Sequence, residues 1–244
     1  TCKDKPKTLS MGQYGMTNGL ERVLDVLDRK NIKATFFVPG KVAEIYESHI
    51  RNIVSRGHEI ACSGYDYINF GLVGEDKQKQ DIMQGVRSLE KIIGKKPLGF
   101  RAPVGELTMD TLRIARSCGM KYSSDLSDDD RPYSMDLGNG MSVLQIPVHW
   151  ALYDLPYFAF NYTPAFPVGQ GRIANYSGVL HNWKEEFEGF YNYGLCYVLQ
   201  LEPQTIGNPA RIKILEDILE YIGEKGNVWY ATGEEMYKYM EEIK

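Results

Sequence analysis

Histidine is scarce in this chain: its 244 residues include only His49, His58, His149 and His181, and no two of them stand four apart. A helix face offering two imidazole ligands to a transition metal is therefore excluded. Long apolar runs are missing as well. No stretch approaches the roughly 18 consecutive apolar residues that a membrane-crossing helix needs. The opening TCKDKPK has no apolar core of the kind a signal peptide carries. The expected compartment is the cytoplasm, although a chain that opens on Thr1 leaves a removed leader open. Basic runs are absent too: the 28 lysines and arginines are scattered and the net charge is −4, so neither a nucleic-acid nor an anionic-membrane surface is marked. Cys62, Cys118 and Cys196 sit in or beside apolar runs, and no CxxC pair occurs. Buried free thiols are expected rather than a zinc knuckle or a redox pair.

What is present is alternation. Short runs rich in β-branched and aromatic residues recur between longer segments of helical period. Strands are expected at about 33–40, 57–64, 98–103, 120–125, 142–148, 195–203 and 227–232. Helices are expected at about 17–30, 41–55, 75–93, 108–118, 180–193, 208–225 and 233–243. About seven parallel strands, most followed by a helix, suit one α/β domain over 1–244 built as a closed or nearly closed barrel.

Functional groups in such folds collect where the strands end and the loops converge. The polar residues expected there are Ser63, Asp66 and Tyr67; Arg101 and Glu106; Asp125 and Asp128 to Asp130; His149 and Asp154; Glu202 and Gln204; and Thr232. Two connections stand out. The segment 148–178 is aromatic, proline-rich and too long for an ordinary βα loop, which suits a lid or a subunit contact. The acidic stretch 123–140 reads as a solvated turn.

Seven ordered stretches, IKATFFVPGKVAE, GHEIACSGYDY, GFRAP, DDDRPY, IPVHWALYDLPY, QLEPQTIGNPARI and NVWYATGEEM, together resemble the polysaccharide deacetylases that share the NodB-type domain. The likeness is greatest to the branch that holds peptidoglycan-deacetylase-like enzymes, cyclic imide hydrolases and metal-free allantoinases. The resemblance implies a deformed (β/α) barrel and hydrolysis of a carbon–nitrogen bond. Typical members hold a divalent metal, often zinc, with one aspartate and two histidines, and use a late histidine as general acid.

At those positions this sequence departs from the family. Where H-G-Y-x-H is usual it reads SGYDY, with Ser63 and Tyr67 in place of the imidazoles, and a hydroxyl and a phenol are poor zinc ligands at neutral pH. The late L-H-P-Q reads LEPQ, with Glu202 in place of the acid. The aspartate-bearing first strand of the family would lie upstream of LSMGQYG. No metal or other cofactor is expected on this set of residues.

The resemblance implies Glu202, Arg101 and Asp130 as catalytic candidates, with Ser63, Tyr67, Asp129, His149 and Tyr153 at a substrate pocket. Each has a plainer reading. Glu202 could pair with Arg101, Tyr67 could fill volume left by a lost ligand, and Ser63 lacks a neighbouring base. The aromatic group Tyr153, Tyr157, Phe158, Phe160, Tyr162 and Phe166 could close over a sugar or small ring, or pack between subunits.

The expected reaction is hydrolysis of a small cyclic amide or imide without the Asp-His-His metal. A catalytically silent binding or structural subunit and a conventional N-acetyl-sugar deacetylase are the alternatives. Partners expected are the small-molecule substrate and further copies of the chain, or an active paralogue in a hetero-oligomer.

Overall fold

In the computed structural model, which describes residues 6–158 and 174–243, the chain divides into two compact units. One comprises Thr1–Ile32 with Val148–Trp229, the other Lys33–Pro147 with Tyr230–Lys244.

The first unit is mainly helical. It opens with α1 (Pro6–Tyr14), a π-helical turn over Gly15–Gly19, and α2 (Leu20–Arg29). Leu20, Val23, Leu24, Val26 and Leu27 bury one face of α2, the three-and-four spacing of an amphipathic helix.

The second unit holds the sheet. In chain order it runs β1 (Thr35–Val38), α3 (Gly40–Ile45), α4 (Glu47–Ser55), β2 (Glu59–Cys62), α5 (Glu75–Ile93), β3 (Gly99–Phe100), α6 (Met109–Ser117), β4 (Tyr122–Ser123), β5 (Tyr133–Gly138) and β6 (Met141–Gln145). The strand order is β1-β2-β3-β4-β6-β5, parallel throughout except for the antiparallel pair β5 and β6. All four residues of β2 are buried, as expected of a parallel strand covered on both faces. Helix α5 covers the sheet with Ile82, Val86, Leu89 and Ile92, each contributing about 1.5–3 kcal/mol by leaving water, and Gly94 at φ 76° ends it.

The chain then returns to the first unit with α7 (Asp154–Phe158), α8 (Tyr176–Tyr193), α9 (Pro203–Ile206) and α10 (Ile212–Gly223). It closes in the second with α11 (Gly233–Glu242), which Thr232 and Glu235 start with a reciprocal capping box.

The α/β class with a parallel-stranded sheet is as expected, and three of its details differ. The apolar run 195–203 joins no ladder among the described residues. Its one aromatic ring goes to α8 instead, with Tyr197 centred 5.5 Å from Phe187 and 5.9 Å from Phe190, and only Gln200 makes a bridge, to Tyr153. The run 227–232 is not a strand either, and Thr232 is spent as the cap of α11 beside Thr35 and Glu59, the first residues of β1 and β2. It therefore does not belong to the rim where the strands end.

The third difference lies in the acidic stretch, whose second half is strand β5 rather than turn. Asn139 and Gly140, at φ 55° and 72°, form a two-residue hairpin turn into β6. Leu137 and Val143 of that hairpin bury against Leu112 of α6.

Candidate functional site

Within the sheet unit, three consecutive strand ends are laced together. The Ser63 hydroxyl donates to the Arg101 carbonyl at 2.8 Å. The Arg101 guanidinium turns to the next strand end, donating from Nε to the Ser124 carbonyl and from an Nη to the Ser124 hydroxyl, both at 2.7 Å. It lies 4.3 Å from the centre of the Phe37 ring, so a charge with fixed donors rests on an aromatic face. Ser124 passes its own proton to the Ile146 carbonyl at 2.9 Å. Asp125, one residue on, accepts from the Ala102 amide at 2.8 Å and the Ser123 hydroxyl at 2.5 Å. Burial pushes its carboxyl up, against the pull of those two bonds and of the Arg101 charge.

The SGYDY loop is clamped from below. Gly64, at φ 68°, accepts the Gly40 amide on its carbonyl at 2.9 Å, and a Cβ on Gly85 would stand 2.2 Å from that carbonyl oxygen. Buried Asp81 of α5 then accepts from the amides of Tyr65 at 2.8 Å and Asp66 at 3.1 Å. Tyr67 follows with 64% of its surface exposed, so its ring does not fill a volume left by a lost ligand.

The metal of the family does not fit the donors present. The Ser63 proton points at a carbonyl, the Asp66 carboxylate is paired with Lys41 at 2.7 Å, and both Asp81 oxygens hold backbone amides. Among the described residues no three of His, Cys, Asp and Glu gather as a metal-binding group.

Asp128, Asp129 and Asp130 are exposed. Asp128 accepts from the Tyr133 hydroxyl at 2.6 Å, and Asp129 turns its carboxylate back onto the amides of Asp130 and Arg131 at 2.7 and 3.0 Å. Asp129 thus forms the turn that presents Asp130.

The second cluster belongs entirely to the helical unit and centres on Glu202. This residue stands at the N-cap of α9, with Pro203 at the first helical position where a missing N–H costs nothing. The Tyr153 hydroxyl and the Gln204 amide donate to its two carboxylate oxygens. Asp154, fully buried, accepts the Glu202 amide on both of its oxygens, at 3.0 and 3.2 Å. Burial pushes the Glu202 carboxyl up, and the Tyr153 hydrogen bond pulls it part of the way back.

The turn packs directly on the π-helical segment. A Cβ on Gly19 would meet the Pro203 carbonyl oxygen at 2.0 Å, and one on Gly15 would crowd Gln204 at 3.0 Å. π-helical turns recur at functional sites, and this one supports a charged turn. His149 sets its ring edge-on to Phe190, with centres 5.3 Å apart. Of the aromatic group, Tyr157 donates to the Ala151 carbonyl at 3.0 Å and Phe158 packs on Tyr176 at 5.5 Å, whereas Phe160, Tyr162 and Phe166 lie outside the described residues.

With both clusters in place, likeness to known proteins can be weighed. Residues 4–123 match the family described as polysaccharide deacetylase. A solved structure from Mycobacterium smegmatis, assigned to the polysaccharide deacetylases, superposes with a TM-score of 0.89 at 32% identity, covering 97% of this chain and 81% of that one. The chain belongs to the polysaccharide deacetylases.

A peptidoglycan deacetylase of Helicobacter pylori is 25% identical over 96% of this chain and 87% of its own length. The structure of an allantoinase superposes with a TM-score of 0.85 at 25% identity, covering 98% of this chain and 77% of that one. Within this deacetylase family the general chemistry is hydrolysis of a carbon–nitrogen amide bond. No helix among the described residues is long and apolar enough to cross a membrane.

The sequence set Glu202 among the catalytic candidates and Tyr153 at the substrate pocket, and gave no sign that the two touch. It placed Asp125, Asp154 and Gln204 among rim residues but gave them no role. It passed over Asp81 and the glycines of GMTNG altogether, although two glycines inside a helical pattern are a signal of close backbone approach.

Proposed function

We propose that this polysaccharide-deacetylase-family chain hydrolyses the amide bond of a small cyclic amide or imide without the Asp-His-His metal, with Glu202 moving the proton. The observation that carries the reading is the Glu202 carboxylate held on both oxygens by Tyr153 and Gln204 while burial raises it toward the range where acid–base catalysis works. In that role Glu202 takes a proton from the attacking water and returns it to the leaving nitrogen. Arg101 and Asp130 stand in the sheet unit and are given no part in this step. The likeness to an allantoinase supports a cyclic substrate over an N-acetyl sugar.

The test is a screen of the full chain against hydantoins, cyclic imides and N-acetylated chitin oligomers, with Glu202→Gln beside it. Ring opening by the wild type, reduced about 10²- to 10⁴-fold in the variant, is expected. A Glu202→Gln chain with full activity overturns the assignment. Ligand binding without turnover on every substrate favours a silent homologue, and stoichiometric zinc in the purified protein with chitin deacetylation favours the conventional enzyme.

A further inference from the structure

We propose that Asp154 is a positioning residue that fixes Glu202 from behind, so that consecutive residues, Tyr153 and Asp154, hold the two ends of one amino acid. The proposal rests on the reading of Glu202 as the proton-moving group. Asp154 opens α7, and its own amide donates to the Gln200 carbonyl at 3.1 Å. Its carboxylate accepts the Glu202 amide on both oxygens, at 3.0 and 3.2 Å, while the Ile206 amide donates to the Glu202 carbonyl at 2.9 Å. The N-cap of α9 is therefore tied to the Asp154 side chain, and Gln200, two residues before it, to the Asp154 amide. Meanwhile the Tyr153 hydroxyl donates to the Glu202 carboxylate.

A fully buried carboxylate is costly in a protein interior, commonly by several kcal/mol before its partners are counted. Four groups bear on this one. Burial pushes this carboxyl well above the usual carboxylate range and the Glu202 charge adds to that, against the pull of the nearby Glu202 and Ile206 amides and of the Arg211 charge. Arg211 reaches the cluster from the start of α10 with its guanidinium 5.4 Å from the centre of the Phe158 ring. The donors that converge on Asp154 are all N–H groups. A side chain with only acceptors answers them, and an amide does so by half.

The arrangement has a mechanical consequence. A proton-transfer group displaced by about 1 Å loses on the order of a hundredfold in rate, and α9 alone, four residues long, is too short to hold its own N-cap. Asp154 supplies the missing rigidity from a different segment of chain.

The experiment compares wild type, Asp154→Ala and Asp154→Asn as full-length chains. Two readings are taken: steady-state kinetics on whichever amide the screen identifies, and the titration of the Glu202 carboxyl by carbon NMR, assigned through Glu202→Gln. The expected result is a fall in kcat of about 10- to 100-fold in Asp154→Ala and a smaller one in Asp154→Asn, with KM within about twofold. The Glu202 titration moves down toward an ordinary carboxylate in Asp154→Ala, because the loosened turn admits water to a carboxyl that burial had raised. If Asp154→Ala does not fold, Asp154→Asn carries both readings with the same direction.

A Glu202 titration unchanged from wild type overturns the proposal, as does a kcat that falls only with the folded fraction. If no substrate is turned over by the wild type, the hydrolase reading fails by itself. The titration still decides whether Asp154 holds Glu202.

Discussion

The Tyr153 hydroxyl donates to the carboxylate of Glu202, joining residues 49 apart in the chain through a single contact. That bond stabilises the ionised carboxylate, whereas burial favours the neutral acid. Removing it in Tyr153→Phe leaves the burial and takes away the restraint, so the Glu202 carboxyl rises further. If Glu202 acts as the base, the acidic limb of the kcat/KM profile moves to higher pH in the variant while the alkaline plateau changes little. A limb that stays in place shows that Glu202 is not the group being titrated.

Close packing of backbone on backbone gives a sharper structural prediction. Gly19→Ala places a methyl 2.0 Å from the Pro203 carbonyl oxygen, where no flexible side-chain end can yield. The variant is expected to lose about 1–3 kcal/mol or more in denaturant unfolding, and to lose activity beyond that, since the displaced atoms are those of the LEPQ turn. Gly189→Ala on α8, where a Cβ meets nothing within 4 Å, serves as the control and is expected to be neutral or slightly stabilising.

What could be read in advance follows from the physics of each element. Helix α5 was legible because its burial pattern is local, and a chain segment of that period has one way to hide its apolar face. The run 195–203 was not, because LCYVL has the composition of a strand while its Tyr197 ring packs on α8. Composition does not say which partner an apolar run will choose. Strand β5 was masked by the acidic residues before it, although Asn139–Gly140 carried the hairpin signal. In the site, Ser63, Arg101, Tyr153 and Glu202 were nameable because strand ends converge and because the chain resembles a known family. The lacing itself, Ser63 to a carbonyl and Arg101 to Ser124, depends on side-chain directions that only three dimensions supply.

That lacing separates two roles for Ser63. A hydroxyl donating to the Arg101 carbonyl is a structural tie worth about 1 kcal/mol, whereas a nucleophile would be required for any turnover. Ser63→Ala is expected to unfold at slightly lower denaturant and to keep kcat within about threefold. Loss of all activity with stability intact would make Ser63 the nucleophile.

Arg101 is held by a fork rather than a point charge, since Nε and one Nη both serve Ser124. A lysine at this position keeps the charge and can satisfy one of those acceptors. Arg101→Lys is therefore expected to cost about 1.5–3 kcal/mol of stability by chemical denaturation, and Ser124→Ala to remove much of the difference between arginine and lysine. Additive effects of the two substitutions would mean that the arm of the fork on the Ser124 hydroxyl contributes nothing.

The opposite end of the strands, where β2 begins, carries a pH-dependent element. Glu59 is buried, and its carboxylate accepts the Thr35 hydroxyl at 2.7 Å, the Tyr122 hydroxyl at 2.7 Å and the Glu234 amide at 2.9 Å. Burial nonetheless wins, with the charge of Glu234 adding to it, and the folded carboxyl lies above its ordinary value. A carboxyl raised by folding binds its proton more tightly in the native state. Its contribution to stability is therefore complete below the unfolded value of about 4.3 and is lost as pH rises through the folded one. Glu59→Gln keeps one acceptor for Thr35 and Glu234, and its amide can donate to a rotated Tyr122 hydroxyl, so the network survives without a charge. Relative to wild type, the variant is expected to gain stability upward from about pH 4, at no more than about 1.4 kcal/mol per pH unit, and then to level off. Parallel stability curves for the two proteins across that range would show that Glu59 does not change its proton affinity on folding.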